Sequence, residues 1–409
     1  MYFFNVISID EVKKILSSNF KNLKIETEKV NILDCEERVL SKDIISQINV
    51  PEFNRSTVDG YAIKSKESHG CSECMPTFLD IIGEVNMGES VNVDIKNGQC
   101  MYVPTGGMIP KSSDSVIMIE HVEKLDEFTI AIHKPISDGE NVVYKGDDIK
   151  KDQIVLKKGK TLNSQDIGVL AALGINEIRV YKPIKFTVIS TGDEIIDLGE
   201  KLEFGKIRDI NGYVICSLIK KLGGIVVEKS IVKDNYDLLK EAVSNGIKNS
   251  DIVLISGGSS VGTRDYTYDV INSFNGQGVL VHGIALKPGK PTIIGECENK
   301  VVIGLPGHPV SAIIVFKIFI DYLVNEILKI KRNKYAIDAI INKNIHSSPG
   351  KKTYQMVTLE DVDNKYYATP IFGKSSMITL LSKACGYVII DEDCEGLYKE
   401  EKVKVHLLQ

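Results

Sequence analysis

Apolar positions along this chain change their period, and the change divides it. From residue 185 to about 328, short apolar β-branched runs alternate with helical stripes. Such runs, bounded by glycine or polar residues, fit buried parallel strands. They lie at 185–190 (KFTVIS), 225–232, 251–255 (DIVLI), around 292–295 and at 301–303. Val214, Ile215, Leu218, Ile219 and Leu222 recur at helical spacing. They predict a helix that the 208–211 segment caps and that Gly223 and Gly224 stop. Residues 236–247 predict a second helix, and 304–311 (GLPGHPVS) opens a long apolar one. Strand alternating with helix predicts a three-layer α/β unit around a mostly parallel sheet.

The remaining chain reads differently. Ser8 and Glu11 form a capping box ahead of a short helix whose stripe is Val12, Ile15 and Leu16. Residues 78–150 alternate or run apolar with β-branched residues between Gly and Pro, which predicts an all-β segment. Residues 162–178 predict a helix, a turn at Gly174 and a strand, and Pro183 marks the boundary with the α/β unit. Residues 334–409 predict a small β unit with turns at Pro349, Gly350, Gly373 and Gly386. The fold class expected is α/β plus β.

Ligands of open α/β sheets bind outside the carboxyl ends of the strands. Glu194, Asp234, Gly257 and Asp265 all follow predicted strands and so fall on one rim. The stretch 256–265, SGGSSVGTRD, is Gly-rich and leads toward a helix, the arrangement in which backbone N–H groups cradle an anion. Asp265 would there hold a metal, or simply cap the helix. Carboxylates favour Mg²⁺, an ion often shared with phosphates. Lys287 and Lys290 of LKPGKP supply positive charge for phosphate or an oxyanion, or lie in an exposed turn. Three polar loops in the β-rich part are further candidates: 50–62 with Asp59, VPTGG with Thr105, and 141–149 with Asp147 and Asp148. No Ser–His–Asp nucleophile and no Walker lysine motif stand out, and His308 is expected to cap or pack.

Composition narrows the class. With 409 residues the chain has room for several domains. A net charge of −5 offers no basic stripe for nucleic acid. The N-terminal segment is a poor signal peptide, and the longest apolar run, 310–316, is too short to span a bilayer. A cytoplasmic protein is expected, and eight scattered cysteines fit a reducing compartment. Cys71 and Cys74 form a C-x-x-C without a second pair, a weak zinc signal.

Seven motifs, STVDGYA, VPTGG, KGDDI, STGDE, SGGSSVGTRDYT, LKPGKP and GLPGHPVS, occur in the order and spacing seen in the molybdopterin molybdenumtransferases, the MoeA family. The chain resembles that family over essentially its whole length, and with it the C-terminal domain of gephyrin. The resemblance implies an elongated homodimer of four-domain subunits. Here these would be a linking domain (22–42 and 151–182), a β-rich domain (43–150), an α/β molybdopterin-binding domain (1–21 and 183–333) and a C-terminal β domain (334–409). It implies insertion of molybdenum from molybdate into adenylyl-molybdopterin, with release of AMP and assistance from Mg²⁺. Its implied partners extend to the preceding adenylyltransferase and acceptor molybdoenzymes.

By motif, Asp59, Thr105 and Asp148 match residues needed for activity and contributed by the other subunit. Glu194, Asp234 and Asp265 match the rim acids that handle Mg²⁺ or molybdate. Gly257, Gly258, Ser259 and Gly262 match the Gly-rich turn, Lys287 and Lys290 the lysine loop, Pro306 and Pro309 the next helix's entry, and Ser375 a serine near the cleft. Three positions depart from the pattern: Val143 for Arg, His308 for Asn and Ser259 for Val. Lys145 is the expected substitute for the missing Arg. The alternatives are a non-catalytic molybdopterin carrier or scaffold, a tungsten-preferring insertase, the preceding adenylyltransferase, and a competence-damage-type hydrolase with the same α/β domain. The β-rich segments around Asp59 and Asp148 disfavour the last two.

Overall fold

The structure is a computed structural model that describes residues 5–257, 266–331 and 335–408. Helix α1 (Ile9–Phe20) starts at the expected capping box. Ser8 Oγ accepts the Glu11 N–H at 3.2 Å, and Glu11 Oε2 accepts the Ser8 N–H at 2.8 Å. Val12, Leu16 and Phe20 are buried, each worth about 1.5–3 kcal/mol over exposure, while Ile15 is half-buried. They join the apolar cluster that also contains Phe186, Val188, Ile303 and Phe319, so the first helix packs with the α/β sheet.

Distant segments build the next unit. Thr27–Asn31 pairs antiparallel with Glu177–Tyr181. Helix α2 (Ser164–Ala172) is capped reciprocally by Asn163 and Asp166. Leu40, Ile44, Leu156, Leu170 and Val180 close the core between them. The intervening chain forms a six-stranded sheet in the spatial order Ser115–Met118, Gly60–Ile63, Gln99–Val103, Thr77–Glu84, Thr129–Ile132, Val122–Lys124. Leu79, Ile117, Ile130 and Ile132 fill one of its faces.

The α/β unit contains strands β1 (Lys185–Thr191), β2 (Ile225–Val232), β3 (Ile252–Ser256), β4 (Gly278–His282), β5 (Ile293–Cys297) and β6 (Lys300–Leu305). Their spatial order is β2-β1-β3-β6-β5-β4. The pairings β1–β2, β1–β3 and β3–β6 are parallel, and β5–β6 and β4–β5 are antiparallel. Four carboxyl ends therefore share one rim. Ile293 pairs with Gly304, so β5 begins at that same rim. Helices α3 (Ile210–Lys221), α4 (Tyr236–Asn249) and α5 (Thr267–Asn272) connect the strands.

After β6 a continuous helix runs from α6 (Pro309–Val315) through a π-turn, Phe316–Ile320, into α7 (Asp321–Leu328). Every residue of α6 is buried, which accounts for the apolar run. Among the described residues, no helix is long and apolar enough to cross a membrane.

In the last part, Lys352–Val362, Lys365–Pro370, Ala336–Ile341, Lys402–Leu407 and Gly386–Ile390 pair in a ring, because the first also pairs with the last. A closed ring leaves fewer edges for wrong pairing. The ring is fastened to the α/β unit in two ways. Leu286–Lys287 pairs in parallel with Lys352 and Thr353. Tyr354, Met356 and Leu380 belong to the same apolar cluster as Leu286 and Val315. The expected α/β plus β class is what the chain adopts.

Candidate functional site

Packing fixes the rim before any ligand is considered. Gly257, which ends β3, has φ 102°. A Cβ there would lie 2.3 Å from the Thr191 carbonyl oxygen, so both conformation and space require glycine. Its N–H points at the Leu305 carbonyl at 3.4 Å. The ends of β1, β3 and β6 are thereby drawn together. A pocket of about 280 Å³ opens where they meet, bordered by Thr191, Glu194, Asn211, Gly257, His308 and Pro309.

A chain of polar contacts supports its floor. Asp209, the N-cap of α3, is 2% exposed. Its Oδ1 accepts the Ser190 hydroxyl at 2.9 Å and the Gly212 N–H at 2.8 Å. Its Oδ2 lies 3.2 Å from Lys229 Nζ, which is also 3.2 Å from Asp197 Oδ1 and 4.3 Å from the Tyr213 ring centroid. The Tyr213 hydroxyl donates to Asp197 at 2.8 Å. That bond, the Leu198 N–H and Lys229 hold the Asp197 carboxyl below its ordinary range. Burial alone would push Lys229 down, but its hydrogen bonds to Asp197 and Asp209 outweigh burial and hold it above the ordinary lysine value.

The rim acids are not equivalent. Glu194 is exposed and borders the pocket. Asp234 is half-buried, with Oδ1 accepting the Thr191 hydroxyl at 2.7 Å and its own N–H given to Asp193 at 3.3 Å. Both offer oxygen donors, the ligand type Mg²⁺ takes. The third acid named from sequence, Asp265, lies outside the described residues, as do Gly258, Ser259 and Gly262. Among the described residues, no group of three or more acidic, His or Cys side chains converges as a metal site.

Lys287 and Lys290 are both exposed, on the loop that leads into β5 at the same rim. The loop is held by its backbone. The Lys290 carbonyl accepts from Ile284 and Thr292 at 3.0 and 2.9 Å, and the Thr292 hydroxyl donates to the Gly289 carbonyl at 2.8 Å. Pro306 is buried, and Pro309 is the first residue of α6.

His308 departs from the expectation that it caps or packs. It stands at the N-cap position of α6 but is exposed and makes no side-chain cap bond there. Its Nδ1 instead meets Ser375 Oγ at 2.8 Å, and the Ser375 carbonyl accepts the Val310 N–H at 3.2 Å. The C-terminal segment thus reaches the rim through Ser375, and Ser376 borders the pocket.

A second cluster forms at one end of the β-rich insertion. Asp59 and Thr105 are exposed, and Asp59 Oδ1 accepts the Thr105 N–H at 2.9 Å. Asp148 is exposed nearby in the fold, its N–H bonded to the Val50 carbonyl at 3.1 Å. Val142–Val143 pairs with Arg55–Ser56, which binds the 141–149 loop to the 50–59 loop. Val143 lies directly opposite Arg55, while Lys145 is 3.4 Å from Glu52. Lys145, the substitute expected from sequence, is therefore engaged locally, and Arg55 is the exposed cation across from the vacant position. Among the described residues no hydrogen bond joins Asp59, Thr105 or Asp148 to the α/β rim of the same chain. Cys71 is buried, which pushes its thiol up, Cys74 is exposed, and the two form no disulfide.

Sequence reasoning treated Asp209 and Asn211 only as a helix cap and did not single out Lys229. A buried charge pair between a helix cap and a neighbouring strand has no local sequence signal.

Comparison with known proteins follows the same division. Residues 7–174 match the MoeA N-terminal region (domain I and II), 187–326 a probable molybdopterin binding domain, and 338–408 the MoeA C-terminal region (domain IV). A putative molybdopterin biosynthesis protein of Methanocaldococcus jannaschii is 34% identical over 417 residues, 99% of each chain. A molybdopterin molybdenumtransferase of Haemophilus influenzae is 33% identical over 332 residues, 81% of this chain and 80% of its own. Two crystal structures of a molybdopterin biosynthesis MoeA protein from Pyrococcus horikoshii superpose with TM-scores of 0.83 and 0.84 at 35% and 29% identity, covering 99% and 98% of this chain and 100% of theirs. With its N-terminal, α/β and C-terminal parts all matched in order, the chain belongs to the MoeA family.

Proposed function

We propose that this protein is a molybdopterin molybdenumtransferase, taking molybdate and adenylyl-molybdopterin to molybdenum cofactor and AMP. The observation that carries the reading is the pocket of about 280 Å³ at the sheet's carboxyl rim, where Glu194, Gly257 and Pro309 meet. Relatives bearing that enzyme name match four-fifths of the chain and support it.

In this reading the rim orients the phosphoanhydride. Gly257, with Gly258, Ser259 and Gly262, brings backbone N–H groups to the phosphates. Lys287 and Lys290 attract molybdate and the phosphate oxygens as point charges. Glu194, Asp234 and Asp265 would hold Mg²⁺, which when bound neutralises charge on the phosphoanhydride. Pro306 and Pro309 fix the loop before α6, and Ser375 holds His308 at the pocket's edge. Asp59, Thr105 and Asp148 act from a second copy of the chain, so the active form is a homodimer. The proposed partition is 22–42 with 151–182, 43–150, 1–21 with 183–333, and 334–409.

Purified protein is expected to release AMP from adenylyl-molybdopterin when molybdate is present. Binding without molybdate-dependent release would make it a carrier instead. A parallel tungstate arm reads the oxyanion preference, and sedimentation reads the dimer.

A further inference from the structure

Asn211, the second residue of α3, holds two walls of the rim pocket at once. Its Nδ2 donates to Ser256 Oγ and to the Gly307 carbonyl, both at 2.8 Å. A carbonyl only accepts, so the Gly307 contact fixes which end of the amide is nitrogen. The other end, Oδ1, has no hydrogen-bond partner. Asn211 is 9% exposed, and a buried acceptor left unpaired is costly. Ser256, 2% exposed, uses its oxygen to accept from Asn211 and keeps its own hydrogen to give.

Both residues border the pocket of about 280 Å³. An unused acceptor thus stands beside an unused donor on one wall. Glu194 and Asp209 add carboxylates to the same pocket. Arg208 also borders it, but its Nη1 is directed at the carbonyls of Asp197, Leu198 and Glu200. This wall suits a neutral ring edge with an N–H donor next to an acceptor better than it suits a phosphate.

We propose that Asn211 is a specificity-determining residue. Its Oδ1 accepts from an exocyclic amino group of a bound heterocycle, while Ser256 donates to the neighbouring ring atom. Adenine and pterin both present that edge. The proposal rests on the function above, whose substrate carries both rings.

The test is calorimetric titration of the full-length protein with two pairs of probes. One pair is AMP and purine riboside 5′-monophosphate. The other is pterin and its 2-deamino analogue. The wild type is expected to prefer the amino-bearing member of one pair by about tenfold, and the pair that shows it identifies the ring. Asn211→Ala is expected to bind both members of that pair equally. Asn211→Asp, which keeps an acceptor but loses both Nδ2 bonds, is expected to bind both more weakly with the preference intact, and serves if the alanine variant does not fold. Equal binding of both pairs by the wild type overturns the proposal. So does a preference that survives Asn211→Ala, or one that vanishes in Asn211→Asp. Molybdate-dependent AMP release, measured alongside, separates the two readings. Release without ring preference sinks this one alone, and preference without release sinks only the enzymatic one.

Discussion

The α/β rim and the insertion loops offer the same kind of side chain in opposite settings. On the rim, Asp209 is buried and carries three contacts that also hold α3, β1 and β2 in place. In the insertion, Asp59, Thr105 and Asp148 are exposed, and the contact Asp59 makes is to a backbone N–H. The rim cannot be altered without disturbing the fold. The insertion loops can, because water already solvates their carboxylates. Loss of activity therefore means different things in the two places, and only in the insertion does it identify a site residue by itself.

That contrast can be broken or sharpened by measurement, starting from the largest effect. Asp209→Ala leaves Lys229 and Ser190 without their buried partner and is expected to cost about 3 kcal/mol or more in urea unfolding. A change below about 1 kcal/mol would show that the polar floor does not hold the rim. Gly257→Ala places a methyl 2.3 Å from the Thr191 carbonyl at positive φ and is expected to cost about 2 kcal/mol, together with most AMP release. A thermal midpoint equal to that of the wild type would contradict the geometry.

Next comes pH. The folded value of Lys229 lies above its ordinary 10.5, so its contribution is full below that pH and is lost as pH rises through the folded value. Asp197 lies below its ordinary 3.8, so its contribution is present above that pH and is lost as pH falls through its folded value. Lys229→Met is expected to flatten the alkaline limb of stability against pH, and an unchanged limb would count against the pairing.

Asp59→Ala should change stability by no more than about 0.5–1 kcal/mol yet lower turnover at least about tenfold. Wild-type turnover would remove Asp59 from the site. Thr105→Ala is the smallest perturbation, since the N–H that reaches Asp59 is kept. It isolates the hydroxyl, and unchanged stability with reduced AMP release is the expected outcome.

How far the sequence could be read follows from the range of the interactions. The strand ends that carry Glu194, Asp234 and Gly257 were legible because a β-branched run followed by Gly or Asp marks a buried strand leaving the sheet. The capping boxes of α1 and α2 are local, and the one at Ser8 was read correctly. The Asn211 bridge to Gly307 spans 96 residues and the His308–Ser375 contact spans 67. Nothing in either neighbourhood announces them. The closure of the C-terminal strands into a ring was equally hidden, because pairing between Lys352–Val362 and Gly386–Ile390 depends on register rather than on composition.

The two-residue strand Leu286–Lys287 is hydrogen-bonded to the C-terminal ring, and a few residues later the same loop enters β5 of the α/β sheet. The lysine loop is therefore moored at both ends to different bodies. Any hinge motion of the ring would pull Lys287 along with it, so the position of positive charge over the rim is geared to the posture of the C-terminal part.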